Sequence, residues 1–457
     1  MRKLNNNEVK DKKTKKRKKR KLSIQKIFNL VSFMFILACC IFYGGRFITL
    51  YLENNRPEDI KVLADIIKDN NNDNENFKDI NGDYYFEGME LNNYLRYSNL
   101  TWRIIKVSSN NKVTLVLENS ITSLAAGQSK KFEDSHINSW LNDQNKDYTG
   151  ILEKSLNNST EYLTYTNNCN DIINNTKNIT CKKTVKDTFI TVPSLNDYVN
   201  TGGSNGFMNN EEYYYLLNSN EDNKLWYVDS EGKVDTSDGT DIIGIKPVIT
   251  IKNTVKLISG DGSKDNPYTI ETENGLFGSY VKLGNDTWRI YNIEGDNIKL
   301  SLDSYATVND SDIKYKYSNN GYYHNDTKQG SLAYYLKNTY LPTLSYNNII
   351  NEVKYSNGIY SNTTNYDYTE VLKTKVDTKV TVLSIGDIFL NPTNTNYYTS
   401  TGITKDSNLV YVMKNDFEMY TKVATTNLKV IPVISINKNL LTSGDGTKNN
   451  PLEVNHE

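Results

Sequence analysis

Hydrophobic and polar positions divide the chain into regimes with different periodicities. Ile27–Gly45 (IFNLVSFMFILACCIFYGG) runs 19 residues without a charge, interrupted by Asn29 and Ser32. A helix of that length covers roughly 28 Å at 1.5 Å per residue, close to the ~30 Å hydrocarbon core of a bilayer. The stretch 57–69 (PEDIKVLADIIKD) places Ile60, Leu63, Ala64 and Ile67 on one stripe. Pro57 suits the first helical position and Glu58 and Asp59 the positive dipole end, so a short amphipathic helix is predicted there. The acidic, Asn-rich stretch 70–77 has no periodicity and reads as a spacer.

Beyond residue 80 the period shortens to that of strands. Trp102–Val107 and Lys112–Leu117 flank Ser-Ser-Asn-Asn, and Trp288–Ile293 and Asn297–Leu302 flank Glu294-Gly295-Asp296; both read as hairpins. Ile137, Trp140 and Leu141 then stand at helical spacing behind a capping Ser135, and Leu332, Tyr335 and Leu336 reproduce that face. Late apolar runs, Ile245–Ile251 and Val430–Ile436, contain Pro247 and Pro432. Those runs predict edge strands, or strands that begin after the proline. The fold class is α+β with strand dominating.

These parallels amount to an internal repeat. Thr191-Val192-x-Ser194-x-x-Asp197 recurs as Thr381-Val382-x-Ser384-x-x-Asp387, and Leu225-x-Tyr227-Val228 as Leu409-x-Tyr411-Val412. Ser259-Gly-Asp-Gly262 recurs as Ser443-Gly-Asp-Gly446, each followed by Asn-Pro. From Trp102 to Pro247 is 145 residues and from Trp288 to Pro432 is 144. Matches in one order at near-constant separation define a duplication. The organisation read from the chain is a tail (1–26), a transmembrane helix (27–48), a stalk and spacer (49–79), a first module (80–275) and a second (276–457).

Charge fixes the orientation. Residues 1–26 carry 13 Lys or Arg against Glu8 and Asp11, whereas the remainder is acidic, with 40 basic against 52 acidic residues. Basic residues beside a span stay cytoplasmic, which places the N-terminus inside, at the plasma membrane, and the bulk outside. The same run can read as a nucleic-acid arm, but its place next to the span and contact with lipid head groups account for it, so no nucleic-acid partner is expected. A cleaved signal peptide calls for a shorter apolar run ending in small residues, and here the run continues through Cys40, Ile41, Phe42 and Tyr43.

The module pattern resembles a widespread bacterial extracellular domain of unknown function. It is similar to the major-paralogue domain of Fibrobacter and, more distantly, to C-type-lectin-like and formylglycine-generating folds. Trp102-Arg103, Ser139-Trp140-Leu141-Asn142, Trp226-Tyr227 and Lys246-Pro247 carry the resemblance in the first copy. The second copy follows it more weakly, with Tyr335 in place of the helix Trp. The resemblance implies two tandem lectin-like modules in an extracellular setting. The calcium-dependent sugar motifs of lectins and the paired catalytic cysteines of the formylglycine enzymes are missing, so it implies no activity.

Candidate chemistry is sparse. Cys169 and Cys181 are the cysteines outside the apolar segment, and on an exported chain they are expected to form a disulfide that steadies one loop. Asp229, Glu231 and Asp235, with Asp238 and Asp241, offer hard oxygen ligands to Ca²⁺; the competing reading is a solvated acidic turn. Trp226, Tyr213, Tyr214 and Tyr227 are the candidates for ligand contact, against the alternative that they pack the core. His136, His324 and His456 have no nucleophile elbow, phosphate loop or zinc spacing around them, so no enzyme and no cofactor is expected. The reading that follows is a membrane-anchored binding or adhesion protein of a bacterial surface. Its partners would be membrane lipid through the helix, and a glycan, wall polymer or surface protein. The alternatives are a non-catalytic envelope scaffold and, third, a wall-polymer hydrolase working through paired carboxylates.

Overall fold

The Trp hairpins are the centre of each copy. In the first, Leu100–Val107 pairs antiparallel with Val113–Leu117, with the register shifting between Ile104 and Lys106. In the second, Asp286–Glu294 pairs with Asn297–Leu302 and shifts between Ile290 and Asn292, the equivalent place. The extra residues of the two bulges, Ile105 and Tyr291, are both buried, so each bulge turns an additional side chain into the core. Trp102 and Trp288 are fully buried, and each indole N–H is satisfied, by the Tyr97 carbonyl at 3.0 Å and the Tyr346 hydroxyl at 3.2 Å.

Residues 61–455 are described by the computed structural model, apart from 130, 143–147, 178, 272–274, 320–328, 361–366, 391–395 and 405–406. The basic tail, the apolar segment 27–48, the first part of the stalk, His324 and His456 lie outside the described residues. No helix among the described residues is long and apolar enough to cross a membrane.

Strands outweigh helices, and the sheet order repeats. The first copy orders strands 94–97, 100–107, 113–117, 248–251 and 190–191 side by side. The second orders 280–283, 286–294, 297–302, 432–437 and 380–382 in the same way. The second sheet of each copy also matches: 234–237, 225–228, 214–219, 243–245 and 122–124 correspond to 419–423, 409–413, 397–402, 427–429 and 314–316. Each such sheet has one parallel contact, Gly244 with Tyr214 and Lys429 with Tyr397. Named sheet ladders stay within 77–269 or within 280–437.

The prolines mark a crossing between sheets. Ile243–Ile245 belongs to one sheet and Val248–Ile251 to the other, so Lys246-Pro247 carries the chain across. Pro247 precedes the second strand, where its missing N–H is not needed, while its carbonyl accepts from Leu117 N–H at 2.9 Å. Of the two expected alternatives, the strand that begins after the proline is the one found, and the edge strand is not: Val248–Ile251 lies between 113–117 on one side and 163–164 and 190–191 on the other. Pro432 opens its own strand in the same manner.

The spacer is also corrected. Leu63–Asn70 is helical with Leu63, Ala64 and Ile67 buried, and Leu63 N–H reaches the Val255 carbonyl at 2.9 Å. Asn71 is buried and donates to the Ile67 carbonyl, and Asn74 donates to Asn71. The polar run is therefore a hydrogen-bonded helix exit leading into strand Phe77–Ile80. Side-chain amides satisfying backbone groups do not appear as periodicity in a sequence.

The Gly-Asp-Gly repeats close each copy as turns. Gly260 and Gly444 have φ of +96° and +99°, and a side chain on either would collide with the carbonyl of Pro267 or Pro451. In both, the Asp side chain accepts from the N–H two residues on, Ser263 or Thr447, at 2.9 Å.

Lys61–Glu457 forms one compact unit. The two copies meet along a seam: Trp140 Nε1 donates to the Gly386 carbonyl at 2.9 Å, and Phe389 N–H to the Ile121 carbonyl at 2.7 Å. Tyr213 N–H donates to the Asp416 carbonyl at 2.8 Å, Met419 N–H to that of Ile242 at 2.9 Å, and Ser123 Oγ to that of Phe417 at 2.6 Å.

Candidate functional site

The predicted aromatic group is split by the strand pleat. Trp226 and Tyr214 are buried, with Trp226 Nε1 on the Ile173 carbonyl at 2.7 Å and Tyr214 OH on the Met208 carbonyl at 2.9 Å. Both belong to the core, which corrects their candidacy as ligand contacts. Tyr213 and Tyr227 are half-buried and stack with ring centroids 6.3 Å apart. The acidic loop is a hairpin turn: Asp229 accepts from the N–H groups of Glu231 and Lys233, Glu231 pairs with Lys233, and Asp241 takes the Ser237 hydroxyl. Asp229, Glu231 and Asp235 are not gathered as a trio of potential metal ligands. The trio that is gathered among the described residues is Cys169, Asp171 and Cys181. Two of its members are joined as the Cys169–Cys181 disulfide, with Cα atoms 5.5 Å apart, and Asp171 accepts from the N–H groups of Lys182 and Lys183.

The repeat motif Ser-x-x-Asp leads instead to two equivalent chambers. In the first copy Ser194 caps helix Leu195–Asn200, accepting from Asp197 N–H at 3.0 Å and donating to Asp197 Oδ2 at 2.7 Å. The free oxygen of Asp197 faces Lys106 Nζ at 3.3 Å, and Tyr85 OH donates to it at 3.3 Å. Lys106 also donates to Tyr85 OH at 2.8 Å and lies 3.6 Å from Asp83. Burial disfavours the Lys106 ammonium, but Asp197, Tyr85 and Asp83 outweigh it and hold the group above the ordinary lysine value. Burial, with Asp197 beside it, pushes Tyr85 up to about 12. A cavity of about 420 Å³ opens over this cluster, walled by Asn81, Asn167, Asn196, Asn200, Thr184 and the disulfide.

In the second copy Ser384 donates its N–H and hydroxyl to Asp387 Oδ2 at 2.8 and 2.9 Å. Lysine changes strands here. Lys106 pairs with Thr114 across the first hairpin, whereas Asn292 pairs with Lys299 across the second. Lys299 Nζ binds Glu294 at 2.7 Å and the Lys354 carbonyl at 2.8 Å, over the Tyr355 ring. Burial raises the Asp387 carboxyl, opposed by the Ser384 hydrogen bonds and by Lys299 and Lys375. Burial lowers Lys375, which donates to Ser356 Oγ at 2.8 Å. The cavity here, about 330 Å³, is walled on one side by Ile151, Lys154 and Ser155 of the first copy. Both volumes fall in the range of small-ligand pockets.

Sequence reading recorded the Ser-x-x-Asp repeat but did not pick out Asp197, Asp387, Lys106 or Lys299 as a site. The signal was a lysine exchanging strands across a hairpin while the facing Asp stayed in place. No family model, curated protein or solved structure matches the chain. The residues themselves therefore carry the functional reading.

Proposed function

We propose that the chain is a surface-tethered, non-catalytic binding protein, anchored by the 27–48 segment, whose two copies each receive a hydroxyl-rich ligand such as a glycan. The observation that carries this reading is the pair of chambers beside the equivalent Ser-x-x-Asp motifs, each lined by a partnered lysine: Lys106, held by Asp197 behind it, in the first, and Lys299, with Asp387 itself in the wall, in the second. The amide and hydroxyl wall of the first chamber, and the lysines, carboxylates and serines set among apolar residues in the second, match the donors, acceptors and apolar faces of a sugar, and a duplicated site raises avidity without new contacts. The carboxylates of Asp83 and Asp197 share the one ammonium of Lys106, an arrangement that fixes their geometry and leaves one negative charge in excess.

A glycan and wall-polymer array probed with Lys61–Glu457 tests it. Binding that falls at least tenfold in Asn200→Ala and Lys375→Ala, with unchanged thermal midpoints, supports the reading. Retention of no glycan together with a stably co-purifying membrane protein would replace it with the envelope-scaffold reading.

A further inference from the structure

A third cavity lies in the seam, apart from both chambers, and neither copy contains it alone. It measures about 460 Å³ and takes Arg96, Asn99, Thr101 and Asn119 from the first copy, and Tyr280, Arg289, Asp303 and the turn Gly446–Lys448 from the second. A narrower cleft sharing Thr101, Asn119, Arg289 and Leu390 continues from it toward Ser120.

The cations are held in place by different means. Arg289 is pinned by three carbonyls: Nε to Gly278 at 3.0 Å, Nη1 to Leu390 at 2.7 Å and Nη2 to Asn99 at 3.2 Å, with the Tyr280 ring 4.8 Å away. Arg96 donates one Nη2 bond to Asn99 Oδ1 at 2.9 Å. Lys448 is two-thirds exposed and meets Asp303 at 2.9 Å. Asp303 is the single carboxylate of the lining; Asp445 is close enough to feel Arg96, but its carboxylate is engaged by Thr447 and Asn450. Positive charge is therefore in excess at this place, in a region of the chain that is otherwise net acidic.

The equivalent position within the first copy is closed. There Arg103, the counterpart of Arg289, is sandwiched between the rings of Tyr94 and Phe207 at 3.9 and 4.7 Å and bonded to Asn93. Docking of the copies thus creates an opening lined by cations that the single module fills.

We infer that this seam groove binds an oxyanion carried on a hydroxylated chain, the phosphate or carboxylate seated among Arg96, Arg289 and Lys448 and the hydroxyls on Asn99, Asn119 and Thr447. Guanidinium and ammonium groups recognise such oxyanions through charge-assisted hydrogen bonds. The narrower continuation, walled by Leu117, Ile121, Phe389 and Leu390 with Asn119, Ser120 and the carboxylate of Glu118, gives the uncharged end of a chain room to extend beyond its charged unit.

Titration calorimetry on the full chain in detergent, at low and high salt, tests this with a glycerol phosphate oligomer, a galacturonate oligomer and inorganic phosphate. Arg96→Gln and Lys448→Glu are the informative variants, because neither side chain holds the core together; Lys375→Ala is the control for the chambers. Salt-sensitive binding of either oligomer, weakened at least tenfold by both seam variants and unchanged by Lys375→Ala, supports the groove. The oligomer bound more tightly identifies the oxyanion. Binding of neither oligomer, or binding that both seam variants leave unchanged, overturns the inference. Loss of binding in Lys375→Ala alone also overturns it, by moving the ligand to a chamber.

Discussion

Trp140→Ala is the sharpest probe of the seam. The indole is fully buried and its N–H meets the Gly386 carbonyl of the other copy at 2.9 Å. Truncating a buried Trp costs about 3–5 kcal/mol through lost burial and the cavity left behind. Leaving the Gly386 carbonyl unpartnered adds about 1 kcal/mol. Trp140→Phe keeps most of the apolar surface and forfeits the hydrogen bond, so about 1–3 kcal/mol is expected. The repeat supplies an internal control: Tyr335, at the same place on the second copy, is half-buried and stacked on Tyr315, and Tyr335→Ala should cost less than about 1.5 kcal/mol. Urea unfolding of Lys61–Glu457 followed by tryptophan fluorescence and circular dichroism measures all of these. The wild type should unfold in one transition by both probes, with Trp140→Ala lowering the midpoint or separating two transitions. Equal, small losses for Trp140→Ala and Tyr335→Ala, with two transitions already present in the wild type, would refute a seam that joins the copies.

Lys106→Met leaves Asp197 buried beside no cation and should destabilise by about 3–5 kcal/mol; Lys106→Asn combined with Thr114→Lys, copying the second hairpin, should recover more than half of that in the same urea assay. Lys246 is fully buried, its Nζ has no hydrogen-bond partner, and burial against the pull of Glu212 lowers it to about 8. The unfolded chain keeps that proton up to about 10.4, so stability should rise by about 3 kcal/mol between pH 8 and 10.4, the penalty being fully present below 8. Read as the difference between wild type and Lys246→Met across that range, the tyrosines held above their ordinary value cancel, and a flat difference would exclude a depressed lysine. Reducing the Cys169–Cys181 disulfide, which closes a separation of 12 residues, should cost about 3 kcal/mol by loop closure, with earlier proteolysis between 165 and 188 as the check.

Regular features were legible in the chain and reciprocal ones were not. Alternation around Trp102 and Trp288 announces hairpins because one face of each must be buried, and Ser135 and Ser331 cap their helices as the spacing implies, each accepting from the third N–H onward. The cysteine pair was likewise readable, since the reactants are few. What the chain conceals depends on partners distant in sequence. Nothing local marks Trp226 as core; its indole N–H is spent on Ile173, 53 residues away. Nor does anything local mark Lys106 as the partner of Asp197 or Arg289 as half of a groove whose other half is Arg96. The Asn-rich stretch after Leu63–Asn70 misled because amides that satisfy backbone groups look, in one dimension, like those of a spacer.

The Trp140 contact also gives the pair of copies a direction. It is not reciprocal: Trp140 reaches Gly386, while Tyr335, which matches Trp140, is stacked on Tyr315, and Asn196, which matches Gly386, lines the first chamber. A directional contact of this kind has no natural terminus and, repeated between molecules, builds filaments. Tyrosine at 335 in place of tryptophan leaves the second copy without the indole plug that the first copy inserts. The seam therefore joins the two copies in one order only, with the aromatic plug on the first and its acceptor carbonyl on the second.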